Sequence, residues 1–230
     1  MKTIGLLGGM SWESTLEYYK IINETVNKKL GKLHSAKIVM ISVDFEPIEV
    51  LQHKGDWDGT AYILSKSSKD IEAANADFLV ICTNTMHKVV PKIEKHISIP
   101  ILHIADATAQ KLKDDNIKKV ALLGTSFTME QDFYKQRLTS YGLEVMIPET
   151  KDRKTIHSII YDELCMGIIN KESKIKYIDI INKLIKNGAQ GVILGCTEIG
   201  MLIKQEDVDI KVYDTTLIHA QKAVEKALEC

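Results

Sequence analysis

Two stretches of this chain concentrate side chains able to hold an anion and move a proton. ADFLVICTNT at 76–85 and AQGVILGCTE at 189–198 align without a gap. The alignment sets Thr83 on Cys196, Asn84 on Thr197, Thr85 on Glu198 and Cys82 on Gly195. In each stretch an apolar run of strand length gives way to polar residues and then to a helical pattern. At such a junction, free backbone N–H groups and the helix dipole favour an anion. A thiol placed there can have its pKa lowered toward neutrality, and hydroxyl and amide groups beside it can hold a carboxylate.

A second pair of segments repeats the logic. IGLLG at 4–8 matches VALLG at 120–124, and each opens a strand–loop–helix unit. Gly9, Met10 and Ser11 follow the first and can offer N–H groups and a hydroxyl to a substrate carboxylate. Thr125 and Ser126 stand at the equivalent place in the second. The segment is not a GxGxxG fingerprint, and no GxxxxGK[ST] loop occurs, so a dinucleotide or nucleotide site is the weaker reading.

These residues need elements to position them. Strand-like runs lie at 3–7, 37–43, 78–82, 120–123, 143–146, 191–194 and 211–213, with a short β-like piece at 101–103. Helical patterns fall between them: 12–30, 46–53, 60–75, onward from Met86, 105–112, 130–140, 155–166, 173–187 and 217–228. Leu16, Tyr19, Ile22 and Val26 are the expected apolar stripe of the first helix. Alternating strands and helices predict an α/β fold, and near-continuous apolar strands predict sheets covered on both faces. The internal repeat predicts two pseudo-symmetric domains, each a mostly parallel sheet flanked by helices. Expected boundaries are 1–100 plus 211–230 for the first and 101–210 for the second. Ligands of open α/β sheets sit at the carboxyl ends of strands, so the active site is expected in the inter-domain cleft.

Opposed groups on two faces of one carbon can remove a proton from one side and return it on the other. Thr83 and Cys196 are the candidates for this exchange. The Cα proton of an amino acid is a very weak acid, so such a site must stabilise enolate-like charge with many donors.

Bulk properties set limits. Hydrophobic residues make up 45% of 230 residues, enough for a substantial core. The formal net charge of -1 gives no general attraction to nucleic acid or anionic lipid. No run approaches the ~18 apolar residues of a membrane span, and MKTIGLLGGM lacks the pattern of a signal peptide. A cytoplasmic location is expected. The four cysteines, Cys82, Cys165, Cys196 and Cys230, form neither a CxxC pair nor a zinc-spaced cluster, so free thiols and no metal are expected.

The motifs TIGLLGGMSWEST, SVDFEPIEVLQHKGDWD, VICTNTMHK, IYDELCMGII and GVILGCTEI strongly resemble the aspartate/glutamate racemase family along essentially the whole chain. The resemblance implies cofactor-independent racemisation of an acidic amino acid, without pyridoxal phosphate, by a homodimer using two opposed cysteines. This chain departs at one position: Thr83-Asn84-Thr85 stands where the family pattern has Cys-Asn-Thr. Cys82 is one residue early and should face the opposite side of its strand. The Thr/Cys pairing resembles branch members that prefer L-substrates. Cys196 is then expected to deprotonate L-aspartate or L-glutamate, and Thr83, or a water it holds, to return the proton.

Asn84, Thr85 and Thr197 are expected to bind the substrate carboxylate and amine. Glu198 is expected to do the same or to cap the following helix. Gln52 is expected to reach the distal carboxylate or to be a surface glutamine. His87 either tunes the site or caps and packs, and Cys165 is expected to be structural. Cys230 is expected to be an exposed terminal thiol, Trp12 and Trp57 packing residues, and the lysines at 111, 113, 118 and 119 a solvated surface. Two other readings stay open: another carboxylate substrate within the same superfamily, and an amino-acid-binding protein without fast catalysis.

Overall fold

The computed structural model describes residues 1–229; Cys230 lies outside the described residues. The chain divides into two compact units, one formed by residues 1–103 with the chain from His219 onward, the other by residues 104–218.

In chain order the first unit runs β1 (Ile4–Gly8), α1 (Trp12–Leu30), β2 (Ile38–Ser42), α2 (Phe45–His53), α3 (Trp57–Ala73) and β3 (Phe78–Ile81). A 3₁₀ turn (Thr85–Val89) and the short α4 (Val90–Ile93) follow. The second unit runs α5 (Ile104–Asp114), β4 (Lys119–Leu123), α6 (Ser126–Glu130), α7 (Asp132–Ser140), β5 (Glu144–Met146) and α8 (Thr150–Asp162). A 3₁₀ turn (Leu164–Met166), α9 (Lys171–Lys186), β6 (Gly191–Leu194), α10 (Ile199–Leu202), a further 3₁₀ turn (Gln205–Asp207) and β7 (Lys211–Asp214) complete it. Helix α11 (Thr215–Leu228) begins in the second unit and continues as part of the first.

Both sheets are parallel. The first has strand order β2-β1-β3 and the second β5-β4-β6-β7. Strands β1, β3, β4 and β6 are buried along almost their whole length, as parallel strands covered on both faces must be. The order β2-β1-β3 matches β5-β4-β6, and β7 has no full counterpart in the first sheet. Ile101 even makes an isolated parallel bridge to Leu79 in β3, a remnant of the place that β7 takes beside β6. The β-like piece expected at 101–103 is therefore one bridge rather than a strand.

One domain boundary needs correcting. Residues 211–214 were expected to return to the first domain, but β7 pairs with β6 along its length, with Val212 opposite Val192 and Tyr213 opposite Ile193. Ladder hydrogen bonds and the burial of Tyr213 hold the strand in the second sheet, so the chain returns at His219, not residue 211.

Each sheet is sandwiched by apolar clusters. In the first unit, Leu7, Leu64, Ile71, Leu79 and Ile81 pack on one face. Ile4, Leu6, Tyr18, Ile22, Val26, Phe78, Val80 and Cys82 pack with Ala220, Ala223 and Val224 on the other. In the second unit, Leu123, Ile156, Ile160, Tyr177, Ile181, Val192 and Leu194 form one layer, and Ile104, Leu112, Val120, Leu122, Tyr134, Leu138 and Ile193 the other. Each fully buried aliphatic side chain contributes about 1.5–3 kcal/mol.

The buried stripe of α1 differs from the expected one. Ser14, Thr15, Tyr18, Ile22 and Val26 face inward, whereas Leu16 and Tyr19 are exposed. Thr15 is drawn inward because its hydroxyl receives the Gly9 N–H at 2.8 Å and donates to the Ser11 carbonyl at 2.8 Å. That contact fixes the phase of the helix, and Trp12, expected to pack, is left 64% exposed. Trp57 is half-buried beneath the Lys88 ammonium, 3.7 Å from its ring centroid. Among the described residues no helix is long and apolar enough to cross a membrane.

Candidate active site

The first loop of the first unit is shaped by Gly9, which has φ +92°. A Cβ there would come within 2.2 Å of the Val43 carbonyl oxygen, so only glycine lets the turn pass this close to the chain following β2. Met10 and Ser11 are buried behind it, and the Ser11 hydroxyl caps α1 by accepting the Ser14 N–H at 3.3 Å. Thr125 does the same in the second unit, accepting the Thr128 N–H at 3.3 Å to cap α6. The Ser126 N–H donates to His157 Nδ1 at 3.2 Å, which places the proton of that neutral imidazole on Nε2.

At the end of β3, Cys82 is fully buried in the apolar layer with Ile4 and Val80. Burial pushes its thiol far above the ordinary cysteine range, so it is inert at this position. Thr83, Asn84 and Thr85 are buried in the turn that follows. His87, also buried, is bonded through Nδ1 to the Thr83 carbonyl at 2.8 Å. That bond ties the ring to the turn that carries the candidate residues. Gln52 is 1% exposed on α2, which removes the reading of it as a surface glutamine.

At the end of β6 the polar side chains meet one another. The Cys196 thiol donates to Glu198 Oε2 at 2.9 Å, and the Thr197 hydroxyl donates to the same oxygen at 2.8 Å. Glu198 stands at the N-cap of α10 without a side-chain cap hydrogen bond. Cys196 also corrects a central expectation. A helix terminus was expected to lower its pKa, but the thiol is pushed well above the ordinary cysteine value. Burial is the first cause, and the Glu198 carboxylate, the neighbouring Cys165 and the hydrogen bond to Glu198 add to it. The helix that should have supplied the dipole, α10, has a single turn. Burial, with an adjacent carboxylate, outweighs so short a dipole.

Cys165, half-buried in the 3₁₀ turn after α8, packs against the same apolar layer as Cys196. The Tyr177 phenol is raised well above its ordinary value, by burial first and then by the negative character of Cys196, Cys165, Glu163 and Glu198. This acidic neighbourhood was not visible in the sequence, where Tyr177 is one apolar position among several on α9. The lysines at 111 and 119 pair on the surface with Asp115 and Glu144. Among the described residues no group of three or more His, Cys, Asp or Glu side chains is arranged to hold a metal. An open cavity of about 490 Å³ lined by Asp106, Phe133, Arg137 and Tyr141 contains none of the expected site residues.

The structure thus gathers Cys196, Thr197 and Glu198 into one hydrogen-bonded cluster, and Thr83 to Thr85 into a turn held by His87. Sequence reasoning missed Tyr18 and His219, which stand behind that turn. They lie 201 residues apart, and each falls on an apolar helix face where no spacing marks it as polar machinery.

The profile of the Asp/Glu/Hydantoin racemase family matches residues 7–223. The fold is similar to the crystal structure of a candidate Asp/Glu racemase from Yersinia pestis, at 52% identity over 100% of both chains with a TM-score of 0.93. It is also similar to an aspartate racemase homologue from Pyrococcus horikoshii OT3, at 36% identity over 100% of both chains with a TM-score of 0.86. The broad specificity amino-acid racemase RacX of Bacillus subtilis (strain 168) is 21% identical over 226 residues, 96% of each chain.

Proposed function

Because this chain belongs to the Asp/Glu/Hydantoin racemase family, an isomerase family, we propose that it racemises an acidic amino acid, aspartate or glutamate, without a cofactor. The observation that carries the mechanism is the Cys196–Glu198 hydrogen bond of 2.9 Å. The raised pKa of Cys196 makes its thiolate scarce but strongly basic, as attack on a weak carbon acid needs. Glu198 is positioned to accept the thiol proton as the base is formed.

The Cys196 S–H proton passes to Glu198, and the thiolate takes the Cα proton of the L-isomer. Thr83, or a water it holds, then delivers a proton to the opposite face of Cα. The resulting hydroxide or alkoxide recovers a proton through solvent from Glu198, returning the enzyme to its starting state. The reading requires Thr83, after β3, and Cys196, after β6, to flank one Cα. The N–H groups of Gly9 to Ser11, with Asn84, Thr85, Thr125 and Thr197, would hold the α-carboxylate and amine. Buried Gln52 would face the distal carboxylate. A homodimer is the assembly this reading expects.

The test is proton NMR in D₂O with L-aspartate and L-glutamate and no pyridoxal phosphate. Loss of the Cα–H signal with appearance of the D-isomer is expected. No exchange with either substrate at high enzyme concentration would sink the proposal and favour a binding protein.

A further inference from the structure

A buried imidazole array stands behind Thr83. His87, His103 and His219 are 2%, 5% and 0% exposed, and none belongs to the proposed proton-transfer pair. The His87 ring lies 4.5 Å from that of His103 and 5.8 Å from that of His219, centroid to centroid. Hydrogen-bond chemistry assigns two of the tautomers. A carbonyl oxygen only accepts, so His219 Nε2, 2.8 Å from the Leu102 oxygen, carries its proton. In the neutral ring Nδ1 is then bare and receives the Tyr18 hydroxyl at 2.8 Å. By the same argument His87 Nδ1, 2.8 Å from the Thr83 oxygen, carries the His87 proton.

We infer that His87 is a positioning residue for the Thr83 end of the proton transfer, its Nδ1–H fixing the Thr83 carbonyl and hence the Thr83–Thr85 turn. The inference rests on the racemase reading. His219, clamped between Tyr18 and the Leu102 carbonyl, backs the His87 ring and fixes where Nδ1–H can point. Cys196, in the other unit, has no part in this array. A loosened turn weakens substrate binding by Asn84 and Thr85 for both steps alike and impairs proton delivery by Thr83 beyond that, so the balance between the two steps shifts.

That shift gives a readout that general loss of structure would not move. A Cα proton removed by Cys196 can be replaced from the same face, which exchanges the L-isomer without inverting it. In D₂O the measured quantity is deuterium entering recovered L-substrate divided by D-isomer formed.

Two variants of similar polarity separate the cases. His87→Asn can keep an N–H near the position of Nδ1, whereas His87→Gln carries its amide farther out. His87→Gln is expected to raise the exchange-to-inversion ratio about tenfold or more, the scale of loss for a displaced catalytic group. His87→Asn is expected to hold the wild-type ratio. Equal ratios in His87→Gln and wild type would overturn the inference, as would an equal rise in both variants. Should His87→Gln not fold, His87→Ala takes its place: a raised ratio supports positioning and a wild-type ratio overturns it. A wild-type protein that neither exchanges nor inverts would instead remove the racemase reading beneath it.

Discussion

Cys196 is a thiol whose environment works against its ionisation, and that is compatible with its proposed task. A thiolate formed beside Glu198 is a stronger base than a free cysteine, and the hydrogen bond offers its proton a destination. Cys196→Ala is expected to lower L-substrate turnover by about 10³-fold or more, measured by circular dichroism of the enantiomers. Glu198→Gln removes two causes that raise the thiol pKa, so the thiolate should form at lower pH. Alkylation by iodoacetamide should then be faster at a given pH, while racemisation falls about 10²-fold because the proton acceptor is gone. Slower alkylation in this variant would contradict the assignment. His219 gives a prediction for stability. Burial lowers its pKa to about 4 from an ordinary 6.5. As pH falls below about 6.5 the unfolded chain takes up a proton that the folded one refuses, so stability declines down to about pH 4. The loss is on the order of 3 kcal/mol. His219→Gln cannot titrate, and its urea-unfolding free energy should fall less steeply over that window.

At the scale of elements, α1 shows how loop chemistry overrides periodicity. Leu16 and Tyr19 have the spacing of a buried stripe, yet the Thr15 hydroxyl, engaged by Gly9 N–H and the Ser11 carbonyl, turns the helix so that Tyr18 faces inward. That rotation is what lets Tyr18 meet His219. Helix α10 carries the opposite lesson. Its single turn cannot acidify a thiol that sits beside a carboxylate. The β1–α1 loop is the most constrained connection, and Gly9→Ala tests it. A Cβ would meet the Val43 backbone at a φ of +92°. The backbone conformation alone costs a side chain about 1–3 kcal/mol. Thermal unfolding should move down by roughly 2–4 °C for each kcal/mol lost, and the KM should rise as the N–H groups shift.

For the whole molecule, the sign of the reaction is fixed by thermodynamics. Enantiomers have equal free energy in water, so mixtures started from either isomer must converge on equal amounts, however unequal the two rates. A ligand that binds only the folded state stabilises it by about 2.7 kcal/mol at a hundred times its Kd. L-aspartate or L-glutamate should therefore raise the melting temperature of Cys196→Ala as well as wild type. Stabilisation without turnover in the variant would separate binding from chemistry. A ligand effect lost in Cys196→Ala would make the thiol part of the binding site itself.

What the sequence by itself determined is the repeated α/β topology and the equivalence of Thr83 and Cys196 within the repeat. Both follow from strand alternation and a gapless repeat, which are local in the chain. It also placed Cys82 in the core, because one residue on a strand reverses the face. Tertiary structure decided the rest. β7 joined the second sheet because its partners lie about twenty residues away in β6, and so short a run as Lys211-Val212-Tyr213 carries no mark of which edge it will meet. The state of Cys196 was decided by burial and by which way Glu198 turned. The Tyr18–His219 contact was decided by packing across 201 residues. Side-chain chemistry and strand register are written in the sequence; electrostatic environment exists only once distant segments have excluded water around a group.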